Sequence, residues 1–351
     1  MFAPGGSSAN MYAMVLSRQH AFPQSKHKGI RDLGELVMFA SEDSHYSFVK
    51  SAIWLGMGTA SVIKVKADDR GRMIVAELRD SILKARKEGK VPYMVGATAG
   101  TTVLGAFDPL PEIADVCHEF GLWLHVDGAL GGGWLLSTQH RNLLVGVERA
   151  DSVTWDLHKL TCAPQQCTVI LTRHPSILCE TNSLRAEYIF QSDKYYDASY
   201  DSGDKSIQCG RKSDTLKLWL QLKAYGRSGM EAAVNNVYDM AQYITEKLRE
   251  RPGFKLVMDE FESNLISFWY IPPKMRSNGH SLAPEVLSKV APMIKKRMMD
   301  CGSLMIGYQP LSTKQLPNFF RLSITCFPES NTRDMDFILD EIETLGKDIL
   351  L

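Results

Sequence analysis

From about Leu36 to Thr172 the chain alternates short apolar runs with amphipathic stretches. The runs are ELVMFAS (35–41), VIKVKA (62–67), YMVGA (93–97), LWLHVD (122–127), SVTW (152–155) and TVILT (168–172). Each is short, rich in β-branched or aromatic residues, and predicts a buried strand. Helices are predicted between them. Leu78 to Lys87 puts Leu78, Ile82 and Ala85 on one face, and Leu110 to His118 does the same with Ile113, Val116 and Cys117. Strand–helix alternation of this kind implies an α/β fold with a mainly parallel sheet covered on both faces.

The pattern changes near Gly226. Ser228 can cap a long helix with Met230, Val234, Val237, Met240, Ile244 and Leu248 along one stripe, stopped by Pro252-Gly253. Strands are then expected at 255–258 and 265–271, a helix from about Pro284 to Met299, strands at 304–309 and 318–325, and a last helix over 332–347. PPKMRSNGHS (272–281) reads as a surface loop. The expected division is a large domain, 1–225, and a small α+β domain, 226–351.

Composition narrows the function classes. Forty basic residues balance forty acidic ones, so bulk charge points to neither nucleic acid nor a membrane surface. Seven scattered cysteines, none in a C-x-x-C spacing, argue against a disulfide framework or a zinc site. No apolar run approaches a membrane span, and the first residues lack the marks of a secretion signal. The cytoplasm is the expected compartment.

Four segments at or near predicted strand ends carry candidate chemistry, and strand ends are where open α/β sheets bind ligands. Pro4-Gly5-Gly6-Ser7-Ser8 precedes an apolar stretch that can open a helix, a place for an anion; it can equally be an ordinary turn. Asp127 ends LWLHVD, where it either caps the next turn or pairs with a cationic nitrogen of a ligand. His158-Lys159 follows SVTW, and Lys159 is either a desolvated nucleophilic amine or a solvated loop lysine. His45, in Ser44-His45-Tyr46-Ser47, either stacks on a flat ligand or is a satisfied core histidine. Together the four match the needs of pyridoxal 5′-phosphate: donors for its phosphate, a carboxylate for its ring nitrogen, an amine for its aldehyde and a face for its ring.

At these residues the chain resembles the group II pyridoxal-phosphate-dependent decarboxylases, the glutamate and cysteine-sulfinate decarboxylase branch. The likeness runs from PGGSSANMYAM to FILDEIETLGKDI, through SHYSF, ATAGTTVLGAFDPL, GLWLHVDGALGGG, DSVTWDLHKL, YDSGDKSIQCGR and NFFR. It implies the fold type I, aspartate-aminotransferase-like architecture. By resemblance, Lys159 carries the cofactor, Asp127 pairs with the ring nitrogen, His45 stacks on the ring and Ala129 packs on its other face. Thr102 matches a threonine near the cofactor hydroxyl, His158 the histidine beside the lysine, and Gly6, Ser7 and Ser8 the phosphate loop. Arg321 matches the arginine that holds a substrate carboxylate. Tyr188 matches a mobile-loop tyrosine that returns a proton to the substrate carbon after CO2 leaves, on the neighbouring subunit's site. A homodimer with the active site at its interface follows from the same resemblance.

The chain departs from the family pattern in four places. It starts at the phosphate loop, so the family's preceding segment is expected to be absent. Asp156-Leu157 stands where the family has Asn-Pro, Ala9 replaces a serine, and Gly128-Ala129-Leu130 replaces Ala-Ala-Trp. Asp156 falls on the phosphate, where a carboxylate ~5 Å from a unit negative charge costs roughly 3 kcal/mol at an effective dielectric near 20. Three functions are therefore expected in competition. The first is decarboxylation of a small acidic amino acid, whether cysteine sulfinate, aspartate or a relative, with glutamate as the alternative substrate. The second is a weakly active or non-catalytic partner of a full-length subunit. The third is oxidative deamination or transamination by the same site, against which Tyr188 speaks.

Overall fold

The computed structural model describes residues 1–191, 193–197, 200–276 and 283–351. Seven strands form the larger sheet: β1 (Phe2–Ala3), β2 (Leu36–Ser41), β3 (Val62–Val65), β4 (Val91–Thr98), β5 (Trp123–Asp127), β6 (Ser152–Asp156) and β7 (Thr168–Thr172). Their order is β1-β7-β6-β5-β4-β2-β3. Strands β3, β2, β4, β5 and β6 run parallel, and β7 and β1 are antiparallel at one edge. All six runs picked out by periodicity are strands. The two-residue β1 was not expected, because only its pairing with β7 makes it a strand.

Period-two alternation distributes the side chains between two cores. Val37, Phe39, Val95, Ala97, Leu124 and Val126 face one side, beneath α4 (Val75–Lys87) and α5 (Leu110–Phe120). Met38, Ala40, Met94 and Trp123 face the other, beneath α1 (Gly6–Ala21) and α3 (Ser47–Trp54). Short helices α2 (Ser25–Lys28) and α6 (Ile177–Asn182) complete this part. Burial on both faces is why β2 and β5 read as unbroken apolar runs.

Helix α7 (Asp214–Glu250) is two helices joined at Gly226, whose φ of 64° and ψ of −176° are not helical. Its first half was not expected from sequence. Leu216, Trp219 and Leu220 there are half exposed, so no buried stripe marks it. The second half carries the predicted stripe, with Met230, Val234, Val237, Ile244 and Leu248 buried. A second, antiparallel sheet follows, ordered β10-β11-β9-β8, from β8 (Phe254–Leu256), β9 (Leu265–Tyr270), β10 (Gly307–Leu311) and β11 (Leu316–Ser323). Helices α8 (Pro284–Cys301) and α9 (Thr332–Gly346) pack on it through Ile294, Met298, Leu339 and Ile342. Residues 277–281 of the expected loop lie outside the described residues; the part before them holds a short turn, Pro273–Met275.

The chain leaves β2 for β3 on one side and then returns to build β4, β5 and β6 on the other. That reversal makes the carboxyl ends of β2 and β4 the switch point, where side chains from separate loops converge. Close backbone packing holds these loops. Gly131 N–H donates to the Ala99 carbonyl at 3.0 Å, and a Cβ on Gly131 would fall within 2.7 Å of the Phe107 ring. Gly131→Ala is expected to destabilise the protein by ~1–3 kcal/mol through overpacking, read as a lower urea midpoint. An unchanged midpoint would show that the loops yield freely.

Candidate active site

At the carboxyl ends of β2, β4, β5 and β6 lies a cavity of about 200 Å³, lined by Gly6, Ser7, Asn10, His45, Thr102, Asp127, Ala129, Asp156 and Lys159 among others. Each loop contributes by its position. His45 sits between β2 and α3, Thr102 follows β4, Ala129 follows Asp127 of β5, and Lys159 lies three residues past the end of β6. The start of α1 closes one side, because spacings of three and four put Gly6, Ser7 and Asn10 on one helix face.

Asp127 is buried and acts only as an acceptor. Its Oδ1 takes the Ala129 N–H at 3.0 Å and its Oδ2 the Asn10 Nδ2 at 2.7 Å. His45 Nδ1 accepts the Ser47 N–H at 3.3 Å. Desolvation holds the His45 imidazole below its ordinary value, so the neutral, flat ring prevails. Thr98 lines the same cavity and has a buried Oγ1 with no hydrogen-bond partner among the described residues.

At the other end Lys159 Nζ meets Asp156 Oδ2 at 3.1 Å. Asp156 is 2% exposed and also accepts the Thr168 hydroxyl at 2.6 Å. A Cβ on Gly6 would lie 2.7 Å from Asp156 Oδ2, so only glycine lets the first turn of α1 approach this carboxylate. The first amides of a helix have no intrahelical acceptor and favour an anion. Asp156 therefore stands against the anion-binding start of α1. Lys159 is an amine paired with a carboxylate.

Three expected site residues do not line this cavity, and for Tyr188, expected to serve the neighbouring subunit, that agrees with the expectation. Ser8 lines a neighbouring hollow with Met11, Ser47, Lys50 and Trp54. His158 is turned toward β7, its Nδ1 2.9 Å from the Cys167 carbonyl and its Nε2 3.9 Å from Asp156. Tyr188 is 82% exposed and does not line the cavity of its own chain. Arg321, on β11, reaches the cavity's border by donating from Nη1 to the Thr102 carbonyl. Asn10, Tyr46, Thr98, Gly100 and Leu130 line the cavity without having been singled out. Asn10 left one signal, a lone amide in the apolar stretch that follows the glycines.

A larger cavity of about 380 Å³ lies at the opposite edge, beside Trp123, Arg149 and Arg173. Its arginines are already engaged, Arg149 by Asp115 and the Pro111 carbonyl, Arg173 by the Arg149 and Glu148 carbonyls.

The conserved domain of pyridoxal-dependent decarboxylases matches residues 1–271. The chain belongs to the pyridoxal-dependent decarboxylase family. It is 50% identical over 353 residues to the acidic amino acid decarboxylase of Bos taurus, covering 99% of this chain and 67% of that protein. It is 49% identical over 358 residues to the human cysteine sulfinic acid decarboxylase, covering 99% and 70%. The crystal structure of mouse CSAD superposes with a TM-score of 0.94 at 48% identity, over 99% of this chain and 72% of that one. The fold is that of the group II, fold type I decarboxylases, and the cofactor of this decarboxylase is pyridoxal phosphate.

The donor set fits that cofactor at one end and strains it at the other. An acceptor-only Asp127, a neutral His45, an amine at Lys159 and an unpaired Thr98 hydroxyl suit the ring and aldehyde. Asp156, packed against Gly6, would oppose a phosphate held at the start of α1. Asp156→Asn keeps the shape and removes the charge, and is expected to tighten cofactor binding ten- to a hundredfold, about 1.4–3 kcal/mol. The measurement is an absorbance titration of apo protein. Equal affinities at neutral pH would show that Asp156 does not oppose the phosphate.

Proposed function

We propose that this decarboxylase acts on a small acidic amino acid, cysteine sulfinate, aspartate or a close relative, with glutamate the alternative. The observation that carries the reading is the convergence of Lys159, Asp127 and His45 on one cavity. The relatives named above, acidic amino acid and cysteine sulfinic acid decarboxylases, support the substrate class.

In this reading Lys159 holds the cofactor by its amine, His45 and Ala129 enclose the ring, and Thr102 and His158 support it. Gly6, Ser7 and Ser8 bind the phosphate from the start of α1. Bound there, pyridoxal phosphate supplies an electron sink while its ring nitrogen is protonated, and Asp127 keeps that proton in place. Arg321 takes a substrate carboxylate; its guanidinium is a planar fork that sits at the cavity border beside Thr102. Burial pulls the Arg321 guanidinium below its ordinary value, yet from so high a start it stays a cation. Tyr188 is the proton donor to the substrate carbon of a second subunit. Its exposure, with that of Ile53 and Trp54 on α3, supports an interface between two copies of the chain.

Residues 1–225 are read as the cofactor-binding domain and 226–351 as the smaller domain. Each sheet draws its strands from one of them, which supports the division. No helix among the described residues is long and apolar enough to cross a membrane. Seven free cysteines support a reducing compartment, the cytoplasm. Asp156 favours a second reading, a weakly loaded partner of another subunit.

Lys159→Ala is expected to abolish both the visible absorbance of the lysine-bound cofactor and CO2 release from all three acids. A parent protein that never turns yellow in excess cofactor supports the second reading instead. Arg321→Lys loses the fork but keeps the charge, and is expected to raise KM for the acidic substrate about tenfold with an unchanged cofactor spectrum. Loss of cofactor in that variant would make Arg321 structural.

A further inference from the structure

The carboxylate of Asp127 sets the direction of a line of hydrogen bonds that runs through Asn10, His125 and Ser152 to Trp123. Trp123 Nε1, a donor only, gives to Ser152 Oγ at 2.9 Å. The Ser152 hydroxyl lies 2.8 Å from His125 Nδ1. His125 Nε2 lies 3.0 Å from Asn10 Oδ1, with Thr154 Oγ1 a looser neighbour at 3.4 Å. The two Asn10 Nδ2 hydrogens go to Ser47 Oγ at 2.8 Å and Asp127 Oδ2 at 2.7 Å. Asn10, His125 and Ser152 are each at most 1% exposed.

Only one set of proton positions satisfies this line. The Asp127 carboxylate can only accept, so the Asn10 amide presents its nitrogen to Asp127 and to the Ser47 hydroxyl, and its oxygen to His125. His125 must then carry its proton on Nε2 and accept at Nδ1. Ser152 accepts from Trp123 and gives its own proton to that Nδ1. Turning the Asn10 amide over would set its oxygen against a carboxylate and its N–H₂ against another N–H. Burial pushes the His125 imidazole down to about 4, so it remains neutral across the physiological range.

From this geometry we infer that Asn10, oriented by His125, Ser152 and Trp123, is a positioning residue that keeps Asp127 a weak base, so that the proton it shares with the cofactor stays on the ring nitrogen. The inference rests on the reading of Asp127 as the partner of that nitrogen. A carboxylate beside a pyridinium in a dry site can take the proton and leave two neutral groups, which removes the electron sink. Two hydrogen bonds donated to the carboxylate, from Asn10 and from the Ala129 amide, stabilise its charge and oppose that transfer.

The test loads the protein with pyridoxal phosphate labelled with nitrogen-15 in the ring and reads the ring-nitrogen resonance, which separates pyridinium from pyridine. Asn10→Leu is expected to move it toward the neutral value and to lower kcat about tenfold, with KM nearly unchanged. Ser152→Ala leaves α1 intact, removes the donor to His125 Nδ1 and so weakens the hold of His125 on the Asn10 amide, and is expected to move the resonance the same way by less. Its loading and unfolding midpoint show whether fold is kept should Asn10→Leu fail to fold. Loaded, folded Asn10→Leu and Ser152→Ala proteins with the parent's resonance would overturn the inference, provided Asp127→Asn shifts it. An Asp127→Asn protein with the parent's resonance would overturn the reading of Asp127, and the inference with it.

Discussion

A carboxylate buried at the end of a parallel strand is the constraint around which this molecule is arranged. Left without donors, Asp127 would cost several kcal/mol to bury as an anion. The Ala129 amide and the Asn10 side chain supply the donors, and each commits a different part of the chain. The first fixes the turn out of β5. The second ties the helix that begins the chain to the middle of the sheet, and the same helix presents Gly6 and Ser7 to the cavity. Holding one charge thus positions both ends of a cofactor site.

The opposite end is governed by a second carboxylate with less favourable company. Asp156 is satisfied by Thr168 and Lys159. Both partners suit a site whose amine is a free ammonium, while a phosphate arriving at α1 adds charge of the wrong sign beside them. The two ends of the cavity therefore make different demands. In the proposed reading the Asp127 end suits a cationic nitrogen, and the Asp156 end would have to be neutralised or rearranged to take a phosphate.

Much of this was legible in order along the chain. The six strands of the large sheet carry apolar runs because both faces are covered, and Asp127, Lys159 and His45 stood out as polar residues just where those runs stop. The first half of α7 was not legible, since its apolar residues are half exposed and follow no core stripe. Adjacency placed Ser8 and His158 in the site, and it could not say where their side chains point. Helix geometry turns Ser8 toward Trp54, and the Cys167 carbonyl draws His158 toward β7.

The sequence by itself determined the fold class, the family and the identities of the ionisable groups, because periodicity and short motifs are properties of neighbours along a chain. Only the tertiary structure decided which of those groups meet. Asn10 and Asp127 are separated by 117 positions, and Arg321 and Thr102 by 219. No local pattern encodes such pairs. Nor does any local pattern say that contacts run from the Asp127 carboxylate through Asn10, His125 and Ser152 to Trp123, or which atom of the Asn10 amide that carboxylate meets. Hydrogen-bond polarity is a property of a closed line of contacts, and the line exists only once the sheet and helix α1 have been packed together.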